Sequence, residues 1–192
     1  MRGIRKRQGG AMTRRWIVTA LGQDRPGIVA GVTKVLYWLG CNLEDSAMTR
    51  LEGEFAIMLI FSTPSKLTPE ALRKAFVPLE RTLHLAIHLK ALSKKESHAP
   101  RKAGKSHLIS VYGADRPGIV FKVSEALAKA GLNITDVHTH RSAGGGPSLY
   151  MMLLEVEVPA TRTPASLETH LKQLAKRLKV QVSLRQSDTD IL

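Results

Sequence analysis

One cysteine, Cys41, stands alone in 192 residues. It excludes an intramolecular disulfide framework and fits a reducing compartment, and it reads as a small buried hydrophobe at the start of a strand. Long apolar runs are missing too. The most extended, Phe55 to Phe61, falls far short of the roughly 18 residues that a membrane span needs. Catalytic constellations are also lacking: no Ser-His-Asp or Cys-His arrangement stands out. His138 and His140 share one strand face, as His84 and His88 do on a second predicted strand, but no Cys or Asp-rich partner motif accompanies either pair. They read as solvent-facing histidines, and no catalytic residue, metal site or cofactor is expected.

Acidic residues are scarce, and their distribution matters more than the net charge of +13. Residues 1–15 hold six basic side chains and no acidic one, and residues 90–106 hold six basic side chains against Glu96. The intervening stretch 16–89 has seven of each sign, and 107–192 has ten basic against eight acidic. The excess therefore sits on a tail and a linker rather than on a folded groove. Such segments can add salt-sensitive attraction to polyanions, which suggests nucleic acid only weakly. Thr13-Arg14-Arg15-Trp16-Ile17 looks like a twin-arginine export signal, yet the apolar stretch behind it stops at Leu21, too short for the hydrophobic region of a leader. A cytoplasmic protein is expected, and Met12 is an alternative start that would leave 1–11 as an extension.

What the chain does have is a repeat. Gly22-Gln23-Asp24-Arg25-Pro26-Gly27-Ile28-Val29 returns 91 residues later as Gly113-Ala114-Asp115-Arg116-Pro117-Gly118-Ile119-Val120, identical at seven of eight positions. Gly40-Cys41-Asn42-Leu43-Glu44-Asp45 matches Gly131-Leu132-Asn133-Ile134-Thr135-Asp136 at the same offset. The chain divides accordingly into a basic tail (1–15), a first module (16–92), a basic linker (93–106), a second module (107–187) and a short C-terminal tail (188–192).

Periodicity gives the same element order in both modules. A strand over 16–21 leads into a helix whose stripe is Ile28, Val29, Val32, Val35, Leu36 and Leu39, stopped by Gly40. Strands over 42–51 and 55–61 flank a Glu52-Gly53-Glu54 turn. Thr68 and Pro69 open a second helix, whose last turn Pro78 puts in question. Leu83, Leu85, Ile87 and Leu89 alternate as a final strand. The second module repeats this with strands at 107–112, 133–141, 149–158 and 180–184, helical stripes beginning at Ile119 and Leu167, and a Gly-rich loop over 143–147. The order β-α-β-β-α-β predicts an α+β fold: two ferredoxin-like sandwiches in tandem, antiparallel sheets with helices on one face.

In the repeated loop, Asp24 and Asp115 are placed to cap the helix that follows, with the prolines in its first turn. Gly27 and Gly118, lacking a Cβ, leave room for a neighbouring backbone or ligand to approach the amides. Free amides at a helix start favour a carboxylate. Two readings remain open at this point, a plain capped turn and an anion-binding loop.

A β-α-β-β-α-β module with Asp-Arg-Pro-Gly-Ile-Val after its first strand and Gly-x-Asn-[Leu/Ile]-x-Asp at its second resembles the ACT domain, a small-molecule regulatory module. Two in tandem resemble the glycine cleavage system transcriptional repressor family. The resemblance implies amino-acid binding at a domain or subunit interface, through Gln23, Asp24, Arg25, Pro26, Gly27, Ile28, Asn42, Leu43 and Asp45. In the second copy it implies Ala114, Asp115, Arg116, Pro117, Gly118, Ile119, Asn133, Ile134 and Asp136. It further implies a non-enzymatic negative regulator that contacts a LysR-type activator of the glycine cleavage operon, with glycine the first-guess effector. The asparagines also suit a simple strand-entry turn. Alternatives are a tandem scaffold for another protein partner and a nucleic-acid-contacting protein that uses its basic tail and linker. Formyltetrahydrofolate deformylases carry a similar loop, but with a hydrolase domain that has no counterpart here. RNA-recognition modules share the sheet, yet the central strand Phe55 to Phe61 lacks their basic lead-in and polar face. Such a sheet suits packing on another sheet, of the sister module or of a second copy in a homo-oligomer.

Overall fold

The computed structural model describes residues 14–93, 104–142, 148–159 and 164–186. The tail before Arg14, most of the linker, the Gly-rich loop 143–147 and the last residues lie outside them. The chain divides between residues 99 and 100 into two units. In the first, β1 (Arg14–Gln23), α1 (Ile28–Trp38), β2 (Asn42–Leu51), β3 (Glu54–Thr63), α2 (Pro69–Leu83) and β4 (Ala86–Ala91) follow in order. In the second, β5 (Gly104–Ala114), α3 (Ile119–Lys129), β6 (Asn133–Ser142), β7 (Leu149–Pro159), α4 (Pro164–Leu178) and β8 (Val180–Gln186) repeat them. The sheets run β2-β3-β1-β4 and β6-β7-β5-β8, every neighbouring pair antiparallel. Each unit is the predicted ferredoxin-like α+β sandwich.

Burial explains the order. Trp16, Val18 and Ala20 on β1 and Phe55, Ile57, Leu59 and Phe61 on β3 alternate inward, the two-residue period of a strand with one covered face. Ile28, Val32 and Leu36 of α1 and Leu72 and Phe76 of α2 close over them. In the second unit Ile109, Val111, Met152, Leu154 and Val156 meet Ile119, Val123, Leu127, Leu167, Leu171 and Leu174. Val29, counted into the α1 stripe from its spacing, is 41% exposed and stands outside it.

Other boundaries also move. β1 opens at Arg14 and β5 at Gly104, because pairing with Thr63 and with Pro159 draws residues of the supposed tail and linker into the sheets. α2 runs through Pro78 to Leu83 and stops at His84, whose φ of 50° turns the chain out of the helix. His84 therefore lies off the strand and does not share a face with His88. The alternation of Leu83 with Leu85 that suggested a strand comes from a helix end followed by a tight turn.

Candidate functional site: two copies of one strand-to-helix loop

The loop after β1 is not the capped turn that Asp24 suggested. Pro26 disfavours helical geometry in the residue before it, so α1 cannot begin at Arg25. The helix starts at Ile28 with Gly27 as its N-cap, at φ 98° and ψ −8°, and no side chain caps it. Gly118 does the same for α3 at φ 89° and ψ 4°. These are the angles of the third residue of a type II turn, where glycine follows proline. A Cβ on Gly27 would meet nothing within 4 Å. The sign of φ calls for glycine here, and no neighbouring protein backbone makes the close approach that its missing Cβ would allow.

Asp24 is employed elsewhere. Its amide donates to the Gly53 carbonyl at 2.8 Å, tying the loop to the β2–β3 hairpin. Its carboxylate takes Arg50 Nη1 at 3.3 Å. The second unit repeats both ties: Asp115 N–H donates to the Ser148 carbonyl at 2.9 Å, and its carboxylate faces Arg141 Nη1 at 3.6 Å. Arg50 and Arg141 lie 91 residues apart, the offset of the repeat, and the sequence reading missed both. The matched offset was the signal that could have found them.

No side chain caps either helix start. Gly31 N–H reaches the Gly27 carbonyl and Lys122 N–H that of Gly118, closing the first helical turns. Amides earlier in each helix have no acceptor within it. Gln23 ends β1 opposite Glu54, and Arg25 and Pro26 lie in the turn that leads to Gly27. In the second copy Ala114 closes β5 opposite Leu149, with Arg116 and Pro117 in the equivalent turn. Ile28 and Ile119, 2% and 4% exposed, point into the cores, so only their backbone can face a ligand.

The second group of residues lies elsewhere in each unit. Asn42 pairs with Ser62 of β3, whereas Leu51, at the loop end of β2, pairs with Glu54. Eight residues of β3 separate those partners, about 27 Å at the usual strand rise. Asn133 and Ser142 are separated along β7 in the same way, opposite Glu157 and Leu149. Within one module, loop and strand head therefore cannot grip one small ligand.

At the strand heads both copies carry a bulge, between Leu43 and Asp45 and between Ile134 and Asp136. Asp45 and Asp136 turn back on their own chain, accepting from Ser46 N–H at 2.8 Å and Val137 N–H at 2.9 Å. Asp136 also meets His138 Nε2 at 2.9 Å. Leu43 is exposed, whereas Ile134 packs against its core. Asn133 and Ile134 line a shallow cavity of about 470 Å³ together with Phe121 and Leu132. Among the described residues no three His, Cys, Asp or Glu side chains gather as a metal would require, and no helix is long and apolar enough to cross a membrane.

The ACT domain model matches residues 14–90 and 106–185, both modules and most of the chain. The chain belongs to the ACT domain family. This tandem ACT protein is 26% identical over 174 residues to the glycine cleavage system transcriptional repressor of Escherichia coli K12, covering 88% of its own length and 87% of the relative. A Streptococcus mutans UPF0237 protein is 36% identical over 75 residues, 39% of this chain and 85% of that one. Among solved structures, an unknown protein from Galdieria sulphuraria superposes with a TM-score of 0.74 at 28% identity, over 92% of this chain and 99% of that one. A structure described as a candidate glycine cleavage system transcriptional repressor superposes with a TM-score of 0.71 over 93% and 99%. At 21% identity, that likeness supports the fold alone.

Proposed function

We propose that this tandem ACT protein is a non-enzymatic regulator that senses an amino acid through its two Asp-Arg-Pro-Gly loops, and that glycine is the effector. In this reading it represses by holding a LysR-type activator of the glycine cleavage operon through protein contact, and the amino acid relieves the hold. The observation that carries the proposal is the double construction of the loop. Gly27 and Gly118 hold nearly the same backbone angles, and Asp24 and Asp115 bind the adjacent hairpin and an arginine in the same way. An uncapped helix start suits an α-carboxylate. An asparagine head such as Asn42 or Asn133 offers donors and an acceptor, and Asp45 or Asp136 a charge for the ammonium. The relative from Escherichia coli supports the transcriptional setting.

Thermal unfolding with glycine, serine and other amino acids tests the sensor. A ligand at 100 times its Kd stabilises by about 2.7 kcal/mol, several degrees for a module of this size. The expected result is a selective shift with glycine that disappears in Gly27→Leu/Gly118→Leu. No shift with any amino acid would overturn the sensing role. Co-elution with a purified LysR-type activator, weakened by glycine, tests the partner, and no co-elution without glycine would remove it.

A further inference from the structure

The first module carries a second concave site, far from the chemistry of its loop in kind. Between α1 and α2 lies a groove of about 400 Å³, lined by Val35, Trp38, Leu39, Ala75, Pro78 and Leu79, with Lys34 and Thr82 also at its wall. That volume falls within the range of small-molecule sites, which pair an apolar wall with a few polar groups. Gly31 allows the two helices to approach, since a Cβ there would sit 2.8 Å from Leu79 Cδ1.

Two features point to what the groove would hold. Trp38 is 70% exposed, an apolar surface that an unliganded helix gains nothing by showing to water. Lys34 Nζ lies 4.5 Å from the Trp38 ring centroid and, among the described residues, has no carboxylate partner. Thr82 already donates its hydroxyl to the Pro78 carbonyl at 3.0 Å. The wall is thus apolar and aromatic, with one unneutralised cation beside the ring.

The sister module shows that the fold does not demand this. At the repeat offset of 91, Gly31, Lys34, Val35 and Trp38 become Lys122, Glu125, Ala126 and Lys129. There Glu125 and Lys129 pair at 2.8 Å, giving an ordinary solvated helix face. One copy pairs its glutamate with a lysine, and the other presents an apolar groove with Lys34 over the tryptophan ring.

We propose that the α1–α2 groove of the first module binds a small carboxylate with an apolar body, aryl or branched aliphatic. Lys34 pairs with the carboxylate, and Trp38, Leu39 and Leu79 cover the body. This site is separate from the loops and stands whether or not they bind glycine.

Phenylacetate and its neutral isostere phenylacetamide test it on the full chain. The two tryptophan indole N–H signals are followed by NMR, and Trp38→Phe, a change on the surface, assigns them. Phenylacetate should shift the Trp38 signal saturably by about 10 mM, as a site of roughly millimolar Kd requires, while the core Trp16 stays still. Phenylacetamide should bind about fivefold or more weakly, and Lys34→Gln should bring phenylacetate down to the amide's level. A shift that stays linear, equal binding of both probes, or an unchanged affinity in Lys34→Gln would overturn the proposal.

Discussion

Replacing Gly27 tests the claim that the repeated loop is set by backbone angle and not by space. The site is open, with nothing within 4 Å of a built Cβ, so a side chain meets no steric barrier. All of the cost comes from φ 98°. A residue with a Cβ loses about 1–2 kcal/mol in that region. Asparagine, which visits positive φ more readily, should lose less. The order Gly, then Asn, then Ala is therefore expected, although Asn is the larger of the two substitutes. Gly22 predicts the reverse. Its φ is not positive, but a Cβ would lie 2.8 Å from Leu85 Cδ2 and 3.0 Å from the His84 carbonyl. The leucine can swing aside and the carbonyl cannot, so Gly22→Ala should cost about 1–3 kcal/mol and Gly22→Asn more. Both tryptophans, Trp16 and Trp38, belong to the first module, so their fluorescence during urea unfolding reports that module alone. With a slope near the low end for small domains, Gly27→Ala should lower the midpoint by about 1 M. An Ala variant as stable as wild type, or Asn worse than Ala at position 27, would refute the backbone argument.

Other outcomes follow from named contacts. Arg50→Ala removes an ion pair whose arginine is 72% exposed, so stability should change by no more than about 0.5 kcal/mol. Faster hydrogen exchange at the Asp24 amide would show that the pair holds the loop on its hairpin, and unchanged exchange would deny it that role. Thr68→Ala removes the cap that accepts from Ala71 N–H at 3.2 Å, costing about 1 kcal/mol of first-module stability by the same fluorescence assay. Burial pushes the Cys41 thiol above its ordinary 9.0. Its contribution to stability is fully present below the unfolded value and is lost as pH rises through the folded one. Iodoacetamide should therefore alkylate native Cys41 more slowly at pH 8 than the urea-unfolded chain, and equal rates would contradict the burial.

The element order was legible because two periods carry it. Inward residues recur every second position on β1 and β3 and every third or fourth on α1 and α3, and the sheets bury those sets. What failed was local geometry that side-chain pattern does not encode. Asp24 carries the side chain of a cap, but Pro26 moves the helix start beyond its reach, and Arg50 claims its carboxylate. His84 sits within an apolar alternation that hides a left-handed helix stop. β5 begins at Gly104 because Val158 and Pro159 of β7 offer partners that only the folded sheet brings alongside. The loop residues of the site were legible as types, from their repetition. Their separation from Asn42 and Asn133 was not, since it depends on β1 and β2 running the same way on either side of β3.

Comparing the two modules then separates what the fold requires from what each copy has specialised. β2 and β6 are ten residues long and share only Asn42/Asn133, Asp45/Asp136, and Arg50/Arg141. Edge strands need no particular side chain at those positions, because backbone pairing with β3 and β7 holds them in place. An exposed Asp–Arg pair adds little stability, so its presence in both copies is better explained by the loop it fixes. The helix surfaces behave in the opposite way. Their buried positions match, Ile28, Val32 and Leu36 against Ile119, Val123 and Leu127, while the outer face has become Lys34 and Trp38 in one copy and Glu125 and Lys129 in the other. The chain thus keeps one loop in duplicate and varies the outer face of the helix that follows it. A regulator that reads one small ligand with both modules, and a different one with only the first, would be expected to show that division.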